Sequence, residues 1–467
     1  MKKPVSYSFA LFIIVVLSFS MLSLTGCEFA TPGDDSHTHQ WGAWSVTSDP
    51  TCTTTGVQTR TCTLDSAHKQ AETVSALGHD WDIWITTLPA TTSAIGEQTS
   101  SCLRAGCDGA ETRAIPVQGG SLFVGSPPIL PSHTLIDLSA TVGTTIVDKA
   151  ITYISTASAG PYTLFLDSDI PVAGLNTRQL SKTNVNLTII GYSTMKTISL
   201  NSAGRMFTVG ASGATGIKLA IGENITLKGL ASNTDTVVRV QDNATFIMEA
   251  NATVTGNTNN TEANHPTLFT YFGGGGVIVN NATFNMKDNA TVSNNKASGY
   301  GGGVFVSVNS TFIMENGTIS GNETTGSGGV STGAGAGVFV SVNSTFTMHD
   351  GTISGNKVNG VGLGGGVYVG EGGVYNGSKS KWEYVNGGTF VMRGGTLYGS
   401  NAATGIANAA AGVGSSSAAL YIDRGCADID SEFYGLGFGT AKYGDGTLIG
   451  DASTDPFFLN TTITGKK

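Results

Sequence analysis

Cysteine and histidine are the side chains best able to do chemistry in this chain. There are six Cys in 467 residues. Four cluster as Cys52, Cys62, Cys102 and Cys107; Cys27 stands behind an N-terminal apolar run, and Cys426 is isolated towards the other end. Disulfides Cys52–Cys62 and Cys102–Cys107 would staple a segment too small to bury much core. Zinc is the alternative, because Cys52, Cys62, His68 and His79 are the right types for a four-ligand site. Their spacing lacks a close Cys-x-x-Cys pair, however, and free thiols are a third alternative. The disulfides are taken as the expectation, with no metal and no cofactor, and Cys426 as a buried thiol.

Catalysis needs a constellation, and none stands out. No His-Glu-x-x-His, Gly-x-Ser-x-Gly or phosphate loop occurs. Ionisable residues recur at one equivalent position: Glu249, Lys287 with Asp288, Glu315, His349 with Asp350, and Arg393. Their signs alternate, which suits a solvent-exposed neutralising ladder better than a groove. The acidic cluster Asp423, Asp428, Asp430 and Glu432 beside Arg424 reads as a solvated end. Binding has a better candidate between Gly370 and Val385, which holds Tyr375, Lys379, Lys381, Trp382 and Tyr384. Aromatic rings and lysines on a polar background suit stacking on sugars or anchoring a protein, the plain alternative being a hairpin that covers a flank.

The elements that must hold these residues are written in repeats. Between residues 236 and 401 one motif recurs, most clearly as GGGVFVSVNSTFIMENGTISGN from Gly301 to Asn322 and again from Gly337 to Asn356. Phe246, Phe284, Phe312, Phe346 and Phe390 share one position, and Met248, Met286, Met314, Met348 and Met392 follow two residues later, the side-chain period of a strand. Val277/Val279, Val304/Val306, Val338/Val340 and Val367/Val369 alternate ahead of them, while Val254, Val292, Ile319, Ile353 and Leu397 lead a third strand. Three short strands per repeat, none able to bury its apolar face alone, predict the coils of a parallel β-helix. Columns of Asn fit its corners: Asn243, Asn281, Asn309, Asn343 and Asn386 at one, and Asn257, Asn295, Asn322, Asn356 and Asn401 at another. Segments 258–272, 296–300, 323–334, 357–363 and 402–411 then read as loops projecting from one edge. A helix over 145–155, with Ile146, Ala150, Ile151 and Ile154 on one face, is placed to cover the open first coil. Less regular coils are expected around 163–167, 186–190, 217–221 and 226–228, and the last coils and a cap after Ala418.

Family resemblances add to this. Lys2 and Lys3 followed by the apolar run from Phe9 to Leu24 form a secretory signal. Its ending, Leu24-Thr25-Gly26-Cys27, resembles the lipobox of bacterial lipoproteins, which implies cleavage before Cys27, its lipidation and firm membrane anchoring. Asn-x-Ser/Thr sequons are accordingly read as repeat grammar, not glycosylation. His39-x-Trp41-x-x-Trp44 returns as His79-x-Trp81-x-x-Trp84, and with Pro50-Thr51-Cys52, Gly56 to Cys62 and Gly78-His79 this stretch resembles the short Trp/Cys repeats of bacterial cell-surface proteins, spacers without catalysis. The second copy departs from the pattern, with Thr92 where the first has Cys52 and an added Cys107. The solenoid resembles the pectin-lyase-like right-handed β-helix, and its Gly-Gly-Gly-Val and Ser-Gly-Asn elements resemble repeats of polymorphic outer-membrane proteins and adhesins. That fold serves both polysaccharide-cleaving enzymes and surface proteins, so it does not choose between them.

The expected fold is all-β: a right-handed parallel β-helix with a small N-terminal tandem-repeat β module. Residues 1–26 are expected to be a signal peptide, 27–37 a lipidated linker, 38–118 a two-repeat stalk, and 119–467 the capped β-helix. A net charge of −9 argues against nucleic acid and anionic surfaces. The expected role is a surface-exposed, outer-membrane-anchored lipoprotein that adheres to a host or neighbouring-cell glycan or protein, or serves a structural role, with no enzyme activity. A polysaccharide lyase or hydrolase, or a periplasm-facing envelope component, are the alternatives.

Overall fold

The computed structural model describes residues 37–422, apart from 91–94, 116, 118, 128–132, 261–272, 326–332, 361, 371–372, 377–380, 385–386, 400–401, 406 and 411–419, with four short strands beyond. These residues form two compact units. One holds the chain up to Trp81 together with Cys102–Gly109; the other holds Asp82–Ser101 and everything from Ala110.

The second unit is dominated by a right-handed parallel β-helix. Each coil gives one strand to each of three long sheets, and pairing runs from coil to coil, not within a coil. In the first sheet Thr283–Met286, Thr311–Met314, Thr345–Met348 and Thr389–Met392 stack in register, Phe on Phe and Met on Met. The rings of Phe284 and Phe312 lie 4.6 Å apart and those of Phe312 and Phe346 4.5 Å, both nearly parallel. These spacings follow from parallel strands ~4.8 Å apart, which bring identical side chains into contact. The second sheet carries Thr291–Ser293, Thr318–Ser320 and Thr352–Ser354, and the third Val277–Asn280, Val304–Val306, Val338–Val340 and Val367–Val369. The Phe, Met, Val and Ile columns are buried together as one continuous core.

Two features go beyond the expected pattern. The middle residues of the valine strands, Ile278, Phe305, Phe339 and Tyr368, point away from that core yet are buried in a second cluster with Ala334, packed against Tyr300 and Leu363. The third sheet is therefore covered on both faces, which explains its unbroken apolar sequence. Each projecting loop also begins inside the fold: Thr258–Asn259, Lys296–Ala297, Glu323–Thr324 and Lys357–Val358 stack as a fourth parallel sheet, joined by Ala409–Ala410.

The two asparagine columns do different work. Asn243, Asn281, Asn309 and Asn343 hold positive φ, as sharp corners require. In the other column the positive φ belongs to the preceding residue, Gly256, Asn294, Gly321 or Gly355, and the Asn side chain turns inward. Asn295 Nδ2 donates to Asn322 Oδ1 at 3.2 Å, Asn322 to Asn356 at 2.9 Å and Asn356 to Asn408 at 2.9 Å. Each Oδ1 also accepts the backbone N–H of the Asn below. The fifth member is thus Asn408 rather than Asn401, because the fifth insertion precedes its corner; Asn386 and Asn401 lie outside the described residues. The glycine runs are shaped by this ladder: a Cβ on Gly303 would sit 2.9 Å from Asn322 Nδ2 and 2.7 Å from the carbonyl oxygen of Gly337.

The first coil is closed as expected, with additions. Helix α1, Ile146–Thr156, starts with a capping box between Thr145 and Asp148 and buries Val147, Ala150, Ile151 and Ile154 against the core. Asp148 also pairs with buried Arg178 at 2.7 Å. The edge strand Gly160–Leu166 is covered by an antiparallel strand, Ser121–Val124, that the sequence did not announce. At the other end Phe457–Leu459 and Ile463–Thr464 add antiparallel to Leu420–Ile422 and Thr396–Leu397.

The tandem copies each form a three-stranded antiparallel sheet: Ser45–Ser48, Gly56–Thr61 and Lys69–Val74 in the first, Ile85–Leu88, Gly96–Ser101 and Ala110–Ile115 in the second. In the second unit, Ala114 packs with Phe123 and Phe165 against Ile95 and Tyr192, which joins the second sheet to the β-helix.

Candidate functional site

Two groups of side chains could do more than hold the fold: the Cys/His clusters of the first unit and the aromatic hairpin of the second.

The thiols do not pair as expected. Cys52, Cys62, Cys102 and Cys107 are all unbridged; Cys52 stands beside Cys102 rather than its expected partner Cys62, whereas the sulfurs of Cys102 and Cys107 remain within 4.8 Å of each other. The reason is the strand pairing. Cys62 and Cys102 end the second strand of their copies and form bridges with Trp41 and Trp81, which brings each beside the His two residues before that Trp. Cys52 leaves its own copy and approaches the second, its Sγ 3.7 Å from that of Cys102. The expected zinc set of Cys52, Cys62, His68 and His79 is split in the same way.

Two clusters result. In one, the ligand-type atoms of Cys52, His79, Cys102 and Cys107 all lie within 4.8 Å of one another. Cys107 Sγ is 3.3 Å from His79 Nδ1, and the Asp80 backbone N–H donates to Cys102 Sγ at 3.4 Å. In the other, His37, His39 and His68 converge equally closely, and His37 Nε2 is 3.4 Å from the buried Cys62 Sγ. His39 Nδ1 is buried with no hydrogen-bond partner. The repeated tryptophans serve these histidines. Trp41 packs on His39 with ring centres 4.9 Å apart, Trp81 on His79 at 4.5 Å, and Arg60 lies over Trp41 and Trp44.

The thiols are electrostatically unequal. Burial pushes the Cys62 thiol up, but hydrogen bonds from His39, the Leu64 and Asp65 backbone and His37 outweigh it and bring the pKa to about 6. Cys102 is also brought to about 6, burial being outweighed by the Asp80 and Arg104 backbone, His79 and Cys107. Cys52 is pushed up to about 12 by its hydrogen bond to Cys107, by burial, and by Cys102. The two thiols held low, Cys62 and Cys102, occupy equivalent positions in the two copies, one in each cluster.

The hairpin runs Gly373–Asn376 and Lys381–Tyr384, with Tyr375 directly opposite Trp382 and Tyr384 opposite Gly373. It leaves and returns at one point, where the Gly388 N–H donates to the Gly370 carbonyl at 2.9 Å. That point is the corner after the valine strand, whereas the loop insertions enter at that strand's other end. The insertions thus leave the coils at one end of the third sheet's strands and the hairpin at the other.

The ionisable column stands on the surface as a ladder. Lys287 Nζ pairs with Glu249 at 2.9 Å, and Glu315, His349 and Arg393 are exposed. Cys27, Cys426 and the Asp423–Glu432 cluster lie outside the described residues. No helix among the described residues is long and apolar enough to cross a membrane. No family model, curated protein or solved structure matches the chain.

Proposed function

We propose that this chain is an exported bacterial lipoprotein, held in the outer membrane through acyl chains on Cys27, that displays its β-helix outward for non-covalent adhesion to a glycan or protein of host or neighbouring cells. One observation carries the reading. The variable parts of otherwise uniform coils all depart from the ends of one sheet's strands, the insertions at one end and the hairpin bearing Tyr375, Trp382 and Tyr384 at the other. A solenoid that keeps its coils constant and varies one border builds a recognition surface, since loops on a rigid scaffold carry binding without disturbing the core. Tyr375 and Trp382, opposite one another in the strand register, are of the residue types that supply rigid apolar area at small entropy cost, as sugar stacking requires.

The test is binding of the purified protein to a panel of surface polysaccharides and host-cell matrices, with products read by mass spectrometry. Retention on a subset, lost in Trp382→Ala with the thermal transition unchanged, is the expected result. Release of shortened or unsaturated oligosaccharides would overturn it and favour a lyase or hydrolase.

A further inference from the structure

We propose that the tandem Trp/Cys repeats are a two-zinc module: one ion is bound by Cys52, His79, Cys102 and Cys107, the other by His37, His39, Cys62 and His68, and the two copies are joined by Cys52, lent from the first to the second.

Four soft or borderline donors converge in the first cluster; in the second three imidazoles converge and Cys62 Sγ approaches one of them, at 3.4 Å from His37 Nε2, and thiolate with imidazole is the donor set that selects zinc. The two clusters are built alike. His39 and His79 open their copies, each backed by a tryptophan. Cys62 and Cys102 close the second strand. The turn that follows supplies His68 in one copy and Cys107 in the other. The fourth donor comes from outside the copy: His37 from the preceding segment for the first, Cys52 from the first copy for the second. Supporting groups are in place too. The Asp65 carboxylate lies 3.8 Å from His68 Nε2, a negative charge beside that imidazole though too far for a hydrogen bond. Gly109 leaves room beside His79, for a Cβ there would come within 2.5 Å of the ring. The buried, unpartnered His39 Nδ1 is a donor atom with nothing else to bind.

This assignment accounts for two departures of the second copy. Its equivalent of Cys52 is Thr92, and no third copy follows to receive a donated thiol. Its added Cys107 replaces the imidazole that His68 supplies. A Cys102–Cys107 disulfide would account for the added Cys107 but leave Cys52 and His79 beside it without a role. No oxidant is involved: each thiol that binds zinc releases its proton to solvent. Three thiolates over-neutralise one ion by a single charge, and one thiolate under-neutralises the other by the same amount.

The experiment is metal analysis of the full chain, purified in detergent with reductant, followed by cobalt exchange. About two zinc ions per chain are expected, one for each cluster. Cys102→Ser and Cys62→Ser should each retain about one, the double variant none, and Cys426→Ser both. Cobalt adds a readout that needs no variant: tetrahedral d–d bands with thiolate charge-transfer absorption, most of which Cys102→Ser removes and little of which Cys62→Ser removes. Metal-free protein with reduced thiols, or a Cys52–Cys102 or Cys102–Cys107 bridge in protein isolated without reductant, would overturn the proposal.

Discussion

At the scale of single residues, the buried amide ladder is the most exacting feature of the β-helix. Asn322 satisfies the backbone N–H and side chain of Asn295 and itself donates to the Val292 carbonyl and Asn356. Asn322→Ala leaves buried partners unmet, each costing about 1–3 kcal/mol, so a marked drop in the denaturant midpoint is expected. Gly303→Ala should also destabilise, through the contact its Cβ makes with the same amide. A second prediction concerns Asp148. Burial raises its carboxyl, but hydrogen bonds from Thr144, Thr145 and Arg178 and the Arg178 charge outweigh it, so the folded pKa is lowered. A lowered carboxyl pKa contributes stability above the unfolded value, about 3.9, and that contribution is lost as pH falls through the folded value. Wild type should therefore exceed Asp148→Asn in thermal midpoint at neutral pH, and the gap should close in acid below the unfolded value.

At the scale of elements, each coil depends on its neighbours. Phe312 stacks between Phe284 and Phe346, so Phe312→Ala opens a cavity that two adjoining coils share. A loss of about 3–5 kcal/mol is expected, with amide exchange rising first in those coils. The coil was the most legible part of the sequence, because columns two residues apart repeat in phase and only stacked strands bury them. The outer cluster of Ile278, Phe305, Phe339 and Tyr368 was not legible, since what covers it comes from segments without periodicity. The edge strand Ser121–Val124 escaped for the same reason: it pairs with residues far along the chain. The Cys/His clusters were half legible. Residue types pointed to thiol or metal chemistry, but spacing alone grouped Cys52 with its own copy, and only the fold carries it across. The aromatic hairpin was found by composition, and the corner it leaves from required the sheet.

At the scale of the whole molecule, the proposed anchor and outward display are tested on intact cells. Protease shaving of intact cells should remove β-helix peptides while a periplasmic control survives, and Cys27→Ser should move the protein from membrane to soluble fractions. Protection from the protease would favour the periplasm-facing alternative. The near-identity of successive coils has a further consequence. Cutting the chain before Gly303 and resuming at Gly337 restores Gly301-Gly302-Gly337-Val338, so Val338–Val340 would meet Val277–Val279 in the register that Val304–Val306 now holds. The phenylalanine column and the amide ladder would close over the gap in the same step. Deletion of residues 303–336 should thus yield a shorter protein with one cooperative transition, where a deletion out of phase would not fold. The solenoid is editable in units of one coil, so its length can grow or shrink without any new interaction having to arise.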